Sequence, residues 1–302
     1  MRQAFSDTLI KLASEDDRVV LLTGDHGYAL FDEFRQRLPN QYINAGIAEQ
    51  NMVGMAAGLA KVGLRPIVYG LSAFIPVRVV EQIKIDIAHD CLPVILIGDG
   101  AGLVYSHLGT SHQSLEDIAV LRSVPNMQIY SPADRFEMKA SMESSIHSLQ
   151  PTYIRMGKSD LGDIHSSICD VTLPIAIAGD VAVSNAVFYA TGSMVKSALL
   201  VAKATCPQAR VYSVPLIHPM HRPTIIDQCF DANFVVTFEE HSITGGLGSS
   251  ICEILAEDQP KRILRIGSDH MFSKTCGSYS HLLAEHGLDA ASVTEKVKVF
   301  VG

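Results

Sequence analysis

The chain has 302 residues, about twice the usual span of one domain, and its 47% apolar and 19% charged composition supplies two large cores. Lys plus Arg is 24 against 32 Asp plus Glu, a formal charge of −8, which argues against a protein built to grip nucleic-acid phosphates or anionic lipid. The six cysteines show neither a CxxC nor a Cys/His metal spacing, no apolar run reaches a membrane span and the first residues form no signal peptide, so reduced thiols and a cytoplasmic location are expected.

Short β-branched runs predict strands over 18–22, 66–69, 93–97, 127–130 and 152–155. Between them, amphipathic stretches predict helices over 4–14, 48–62, 77–89, 115–123 and 134–148. This alternation is that of βαβ units on a parallel sheet. Several strands end in turn chemistry (Gly24-Asp25, Gly98-Asp99-Gly100, Ser131-Pro132), and ligand sites of such sheets lie at the carboxyl ends of strands. The pattern lapses between 157 and 179 and then resumes, with strands over 186–190, 210–214, 234–238 and 262–266. Helices of this second half are predicted over 194–205, 224–229, 248–256, 278–286 and 292–299. Two α/β domains follow, each a mainly parallel sheet flanked by helices.

The segment that carries most chemistry is Asn44-Ala45-Gly46-Ile47-Ala48-Glu49-Gln50-Asn51-Met52, which opens a helix continuing through Gly54, Ala56, Ala57, Gly58 and Ala60. The small residues form a face for close packing against another backbone. A glutamate entering such a surface is costly to ionise without a partner; a carboxylate serving the helix dipole is the plainer alternative.

Gly46-Ile47-Ala48-Glu49-Gln50-Asn51-Met52 resembles the core motif of the pyrimidine-binding domain of transketolase-like, thiamine-diphosphate enzymes. The resemblance continues in order through Gly24-Asp25, Phe74, Glu81-Gln82-Ile83, Gly109-Thr110-Ser111-His112-Gln113-Ser114, Glu116-Asp117-Ile118 and Ser131-Pro132-Ala133-Asp134. In the second half, Ala190-Thr191-Gly192-Ser193, Glu239-Glu240-His241 and Gly245-Gly246-Leu247-Gly248 match the family's carboxy-terminal domain. It implies a pyrimidine-binding domain over 1–160, a linker over 161–178 and a C-terminal domain over 179–302.

The resemblance also implies roles. Glu49 would hydrogen-bond the cofactor's pyrimidine nitrogen and favour the tautomer that takes the proton from thiazolium carbon 2. Phe74 would stack on the aminopyrimidine, with Asp25 and Gln50 close to the cofactor. His112 would face the sugar, and Arg2 and Arg155 would take its phosphate. The bland readings beside these are a core phenylalanine, a turn-capping aspartate, a surface histidine and solvated arginines. Three positions depart from the family pattern. Leu108 stands where an aspartate reads a sugar hydroxyl, Gly100 where a histidine often stands, and Ala29 where a serine binds phosphate. A less hydroxylated or differently charged ketose is therefore expected.

Gly98-Asp99-Gly100 followed by Asn126 has the approximate spacing of the GDG…N motif that holds magnesium and the diphosphate. It is read as a coincidence, because the residues between follow the pyrimidine-domain pattern, and no metal ligand is assigned to this chain. The Gly245–Gly248 run is read as tight packing at a helix entrance rather than an anion cradle. With the diphosphate-binding domain missing ahead of Met1, the chain resembles the carboxy-terminal subunit of a split transketolase. Thiamine diphosphate and Mg2+ would lie at the interface with an N-terminal subunit in an α2β2 heterotetramer, inactive without it. The β subunit of a 2-oxoacid dehydrogenase, half of a 1-deoxyxylulose-phosphate-synthase-like enzyme and a non-catalytic assembly subunit are the competing readings.

Overall fold

The computed structural model describes residues 1–27, 29–180 and 185–302. The strands are β1 (Val19–Thr23), β2 (Tyr42–Asn44), β3 (Arg65–Leu71), β4 (Ile95–Asp99), β5 (Gln128–Tyr130) and β6 (Thr152–Met156) in the first half. The second half contributes β7 (Ile175–Ala178), β8 (Ala186–Ala190), β9 (Arg210–Ser213), β10 (Leu216–His218), β11 (Phe234–Ser242) and β12 (Arg262–Ser268). They form a seven-stranded sheet in the order β10-β5-β6-β4-β3-β1-β2 and a five-stranded sheet in the order β12-β11-β8-β9-β7. All pairings are parallel except β10 with β5 and β7 with β9.

The central strands read as unbroken apolar runs because helices cover both faces of each sheet. β1, β4, β6 and β8 are buried along their whole length. In the first domain one face packs under the helices Arg2–Glu15 and Arg135–His147, with Phe5, Leu9, Met138 and Met142 against Leu21 and Ile97. The other packs under the helix Glu49–Lys61 and the Val80–Ala88 segment, with Met52, Val53, Ile83 and Ile87 against Leu22, Val68 and Leu96.

Three strands were not expected. β2 and β10 have three residues each and β7 four, too short for an alternation to register, and all three lie at sheet edges. β7 falls within the stretch expected as a connection yet pairs with β9, while β10 leaves the second half of the chain to add an antiparallel edge to the first sheet. The helix expected over 77–89 is a composite: a 3-10 turn Val77–Val79, a short α-helical piece and a π segment Ile83–Ala88.

The two domains are tied directly. Asp134 caps the helix Arg135–His147 with one carboxylate oxygen, accepting from the backbone N–H groups of Phe136 and Glu137 at 2.9 Å each. Its other oxygen accepts from Ile164 and His165 at 2.9 and 2.7 Å, pinning the connecting segment to the first domain. Across the seam, the Thr191 hydroxyl and the Gly192 N–H donate to the Ser131 carbonyl, both at 3.1 Å. Among the described residues no helix is long and apolar enough to cross a membrane.

Candidate active site

The carboxyl ends of β1, β3, β4 and β6 lie side by side, so the turns after them share one edge of the sheet. Glu49 is the first residue of the helix that follows β2, and its side chain is 7% exposed. It is not unpartnered: Arg78 Nη1 lies 3.2 Å from Glu49 Oε2. The same guanidinium lies over the Phe74 ring, with Cζ 3.9 Å from its centroid. His112 meets that ring edge-on, with centroids 5.3 Å apart. One chain of contacts thus joins Glu49, Arg78, Phe74 and His112. Gln50 is exposed beside Glu49.

Asp25 is exposed at the turn after β1. His26 beside it is half-buried, with its ring against the backbone at Tyr69 and Gly70. Burial lowers the His26 pKa, against the opposing pull of a backbone hydrogen bond at Tyr69 and then of Glu49, Asp99 and Asp25. Arg2 is drawn to the end of β4, where its Nη2 sits 3.4 Å from both Asp99 Oδ2 and the Tyr69 hydroxyl. Asp99 Oδ2 also accepts from the Tyr69 and Tyr105 hydroxyls, at 2.8 and 3.1 Å. Arg2 keeps 45% of its side chain exposed.

Arg155 is elsewhere. It is 2% exposed, and its Nε donates to Asp117 Oδ2 at 2.8 Å. Its Nη2 donates to the carbonyls of Ser114 and Glu240, at 3.1 and 2.7 Å. The expectation of a phosphate-binding Arg155 is therefore corrected: the guanidinium is spent on holding the domains together. The cation that does emerge at the end of β6 is Lys158, 28% exposed, paired with Asp160 at 3.0 Å and 5.5 Å from the Tyr279 ring. Ser159 beside it accepts from the chain's amino terminus, which brings Arg2 to the same edge.

Below Arg155 the seam is lined by buried polar groups. Glu239 accepts from the backbone N–H groups of Leu247 and Gly248 at 2.7 and 2.8 Å, and a Cβ on Gly246 would overlap its carboxylate. The Gly245–Gly248 helix entrance is thus closed by the protein's own carboxylate, as the packing reading expects. Burial pushes the Glu239 pKa up to about 7 and that of His241 down to about 4.

Asp99 and Asn126 lie at opposite ends of the sheet: Asp99 pairs in register with Met156, whereas Asn126 precedes β5, whose Gln128 pairs with Thr152. Asn126 Nδ2 donates to the Ala88 carbonyl. The departure at Gly100 has a steric cause. Its φ is +73° and an added Cβ would overlap the Tyr105 ring, so a histidine has no room there. Leu108 is 46% exposed in the 3-10 turn Ser106–Leu108. Sequence reasoning missed Arg78, His26 and Lys158. The available signals were an arginine four residues after Phe74 and a histidine directly after Gly24-Asp25.

Residues 1–163 match the family model of the transketolase pyrimidine-binding domain, and residues 180–293 that of the transketolase C-terminal domain. The chain is 32% identical to a subunit of the apulose-4-phosphate transketolase of Phocaeicola vulgatus, over 99% of this chain and 97% of the relative. It is 32% identical to a 6-deoxy-6-sulfo-D-fructose transketolase subunit of a Clostridium species, over 97% and 92%. It is 34% identical to 1-deoxy-D-xylulose-5-phosphate synthase of Cupriavidus taiwanensis, covering 47% of that protein. Among solved structures, a split-gene transketolase described as an inactive β4 tetramer superposes with a TM-score of 0.89 at 31% identity, covering 99% and 98% of the two chains.

Proposed function

The chain belongs to the transketolase family, and from that premise we propose that it is the carboxy-terminal subunit of a split transketolase. In this reading it transfers a two-carbon ketol unit from a ketose to an aldose, with thiamine diphosphate held between it and an N-terminal partner subunit. The whole-length match to relatives named as transketolase subunits supports the split arrangement.

The observation that carries the reading is the pairing of a buried carboxylate, Glu49, with the flat Phe74 ring at the edge where the parallel strands end. The residues fit the pyrimidine half of the cofactor. The half-buried His26 ring lies at the same edge, so a polar ring entering there would meet a carboxylate, an aromatic face and an imidazole. Thiamine diphosphate, when bound, supplies a nucleophilic carbon able to attack and cleave a ketose. Glu49 is assigned to bind the pyrimidine nitrogen and hold the proton there, Phe74 to orient the ring, with Asp25 and Gln50 flanking it. His112, packed on Phe74, is assigned to the sugar oxygens. The diphosphate and Mg2+ are assigned to the partner, because the GDG and Asn126 of this chain occupy opposite ends of its sheet.

The substrate is assigned as a ketose with an anionic distal group, which would meet the exposed Arg2 and the part-buried Lys158 in competition with their partners Asp99 and Asp160. The exposed Leu108 in place of a hydroxyl-reading carboxylate favours one with fewer hydroxyls.

The partner is assigned to the outer face of the Glu49 helix, where added Cβ atoms on Gly54 and Gly58 would meet nothing within 4 Å and Ile47 is 79% exposed. The test is reconstitution with the partner subunit, thiamine diphosphate and Mg2+. Ketol transfer should appear only in the mixture, and Glu49→Gln should lower turnover by about a hundredfold or more. Unchanged turnover in that variant would overturn the assignment, and use of pyruvate as the donor would favour the synthase-like reading instead.

A further inference from the structure

Arg78 stands in a relation to Glu49 and Phe74 that the proposed function does not use. Its guanidinium lies between the two, with Nη1 3.2 Å from the Glu49 carboxylate and Cζ 3.9 Å from the centre of the Phe74 ring. A guanidinium is planar, donates along its edge and stacks on aromatic faces. An aminopyrimidine offers a carboxylate and an aromatic ring the same two contacts. The two groups therefore compete for one carboxylate and one ring.

From this coincidence we infer that Arg78 is an internal stand-in for the cofactor's pyrimidine: it keeps Glu49 paired while the site is empty and swings out when the ring arrives. The inference rests on the assignment of Glu49 and Phe74 to the pyrimidine. Two features of the molecule make the exchange feasible. The Arg78 side chain is 46% exposed, on the 3-10 turn Val77–Val79 at the rim, so its release into water carries little desolvation cost. Glu49, at 7% exposure, is the partner that cannot be left bare, since an unpaired buried carboxylate is expensive. Replacing the guanidinium by the ring never leaves it so, because the exchange takes up one proton, shared between the Glu49 carboxyl and the pyrimidine nitrogen, which as a bare ring nitrogen only accepts. Arg78 then taxes cofactor affinity by the fraction of molecules in which it occupies the site, and it acts as a positioning residue rather than a catalytic one.

The experiment is calorimetric titration of thiamine diphosphate, at fixed Mg2+, into the complex of this chain with its partner subunit. Arg78→Ala and the volume-keeping Arg78→Met should bind the cofactor about five- to tenfold more tightly than the unsubstituted chain, the sum of an ion pair exposed on its arginine side and a cation–π contact removed from the competitor. The cofactor-induced rise in melting temperature should grow in parallel. A residue with a merely structural role would weaken binding, not tighten it. Equal or weaker binding by a folded Arg78→Met complex overturns the inference. Glu49→Gln and Phe74→Ala separate the two levels. If both weaken binding while Arg78→Met fails to tighten it, only the stand-in falls; if neither changes binding, the pyrimidine assignment falls and the stand-in with it.

Discussion

Asp117 and Arg155 form an ion pair of 2.8 Å in which neither side chain is more than 3% exposed, at the seam where the two domains meet. The Tyr153 hydroxyl donates to the same carboxylate oxygen at 2.8 Å, and the guanidinium reaches the Glu240 carbonyl of the second domain at 2.7 Å. An arginine so committed is structural. Arg155→Met leaves Asp117 charged and buried without its partner, which should cost about 3–5 kcal/mol. Denaturant unfolding of the isolated chain measures it. A loss under 1 kcal/mol, with a raised KM for an anionic sugar instead, would return Arg155 to the substrate.

Asp134 gives a prediction of a different kind. One oxygen caps a helix and the other takes two N–H groups from the connecting segment. Asp134→Asn can keep the cap, but its amide nitrogen cannot accept from Ile164 and His165. Leaving these half-buried donors unsatisfied costs about 1 kcal/mol, the low end of the penalty for a fully buried group. The chain should lose stability by about that amount and become open to limited proteolysis between 158 and 170. Unchanged protease resistance there would show that the segment is held by other contacts.

Glu239 sets a pH dependence. Its pKa in the folded chain is about 7, raised by burial from an ordinary 4.5. A raised folded pKa means that the folded state binds the proton more tightly than the unfolded one. The contribution is thus fully present below 4.5 and is lost as pH rises through about 7. Glu239→Gln removes the titration and one of the two backbone hydrogen bonds, since its amide nitrogen cannot accept, so the variant should melt below the unsubstituted chain at pH 5 and the gap should narrow as pH rises to 7. His241, held down to about 4 by burial, acts in the opposite sense, losing stability as pH falls below 6.5. Its Nδ1 lies 3.7 Å from Glu239 Oε2, so the two titrations are coupled and the comparison is repeated on a His241→Gln background. Parallel melting curves would contradict the Glu239 assignment.

The parts of this molecule that local sequence encodes are those whose environment is uniform. β1, β4 and β8 lie between two layers of helices, so each is an apolar run, broken only at its carboxyl end by Thr23 in β1 and Asp99 in β4, and is plain to read. β2, β7 and β10 are placed by their neighbours: three or four residues at a sheet edge leave no period. The same division holds at the site. Glu49 could be read because it opens a helix of small residues in a recurring motif. The job of Arg155 could not, because Asp117 is 38 residues away and the contact exists only once β6 and the Asp117–Arg122 helix have packed. Arg78 sits among valines in a segment that reads as an ordinary amphipathic helix. Only the fold brings its charge to a carboxylate 29 positions earlier, across the edge of the sheet.

The Glu49 helix carries the last prediction, because its two faces obey different rules. Ala56, Ala57 and Ala60 are buried against the sheet, whereas Gly54 and Gly58 look outward with no atom near where a Cβ would go. Within the isolated chain those glycines are a cost of about 0.5–1 kcal/mol each relative to alanine, since they loosen the helix and pack against nothing. Gly54→Ala and Gly58→Ala should therefore raise the melting temperature of the chain alone. If the partner subunit approaches along this face, the added methyl groups stand where its backbone must come, and the same variants should associate more weakly. Melting curves read the first effect, and light scattering of the mixed subunits at decreasing concentration reads the second. Opposite signs in the two measurements identify the face as the subunit contact; a gain in stability with association unchanged would place the partner elsewhere.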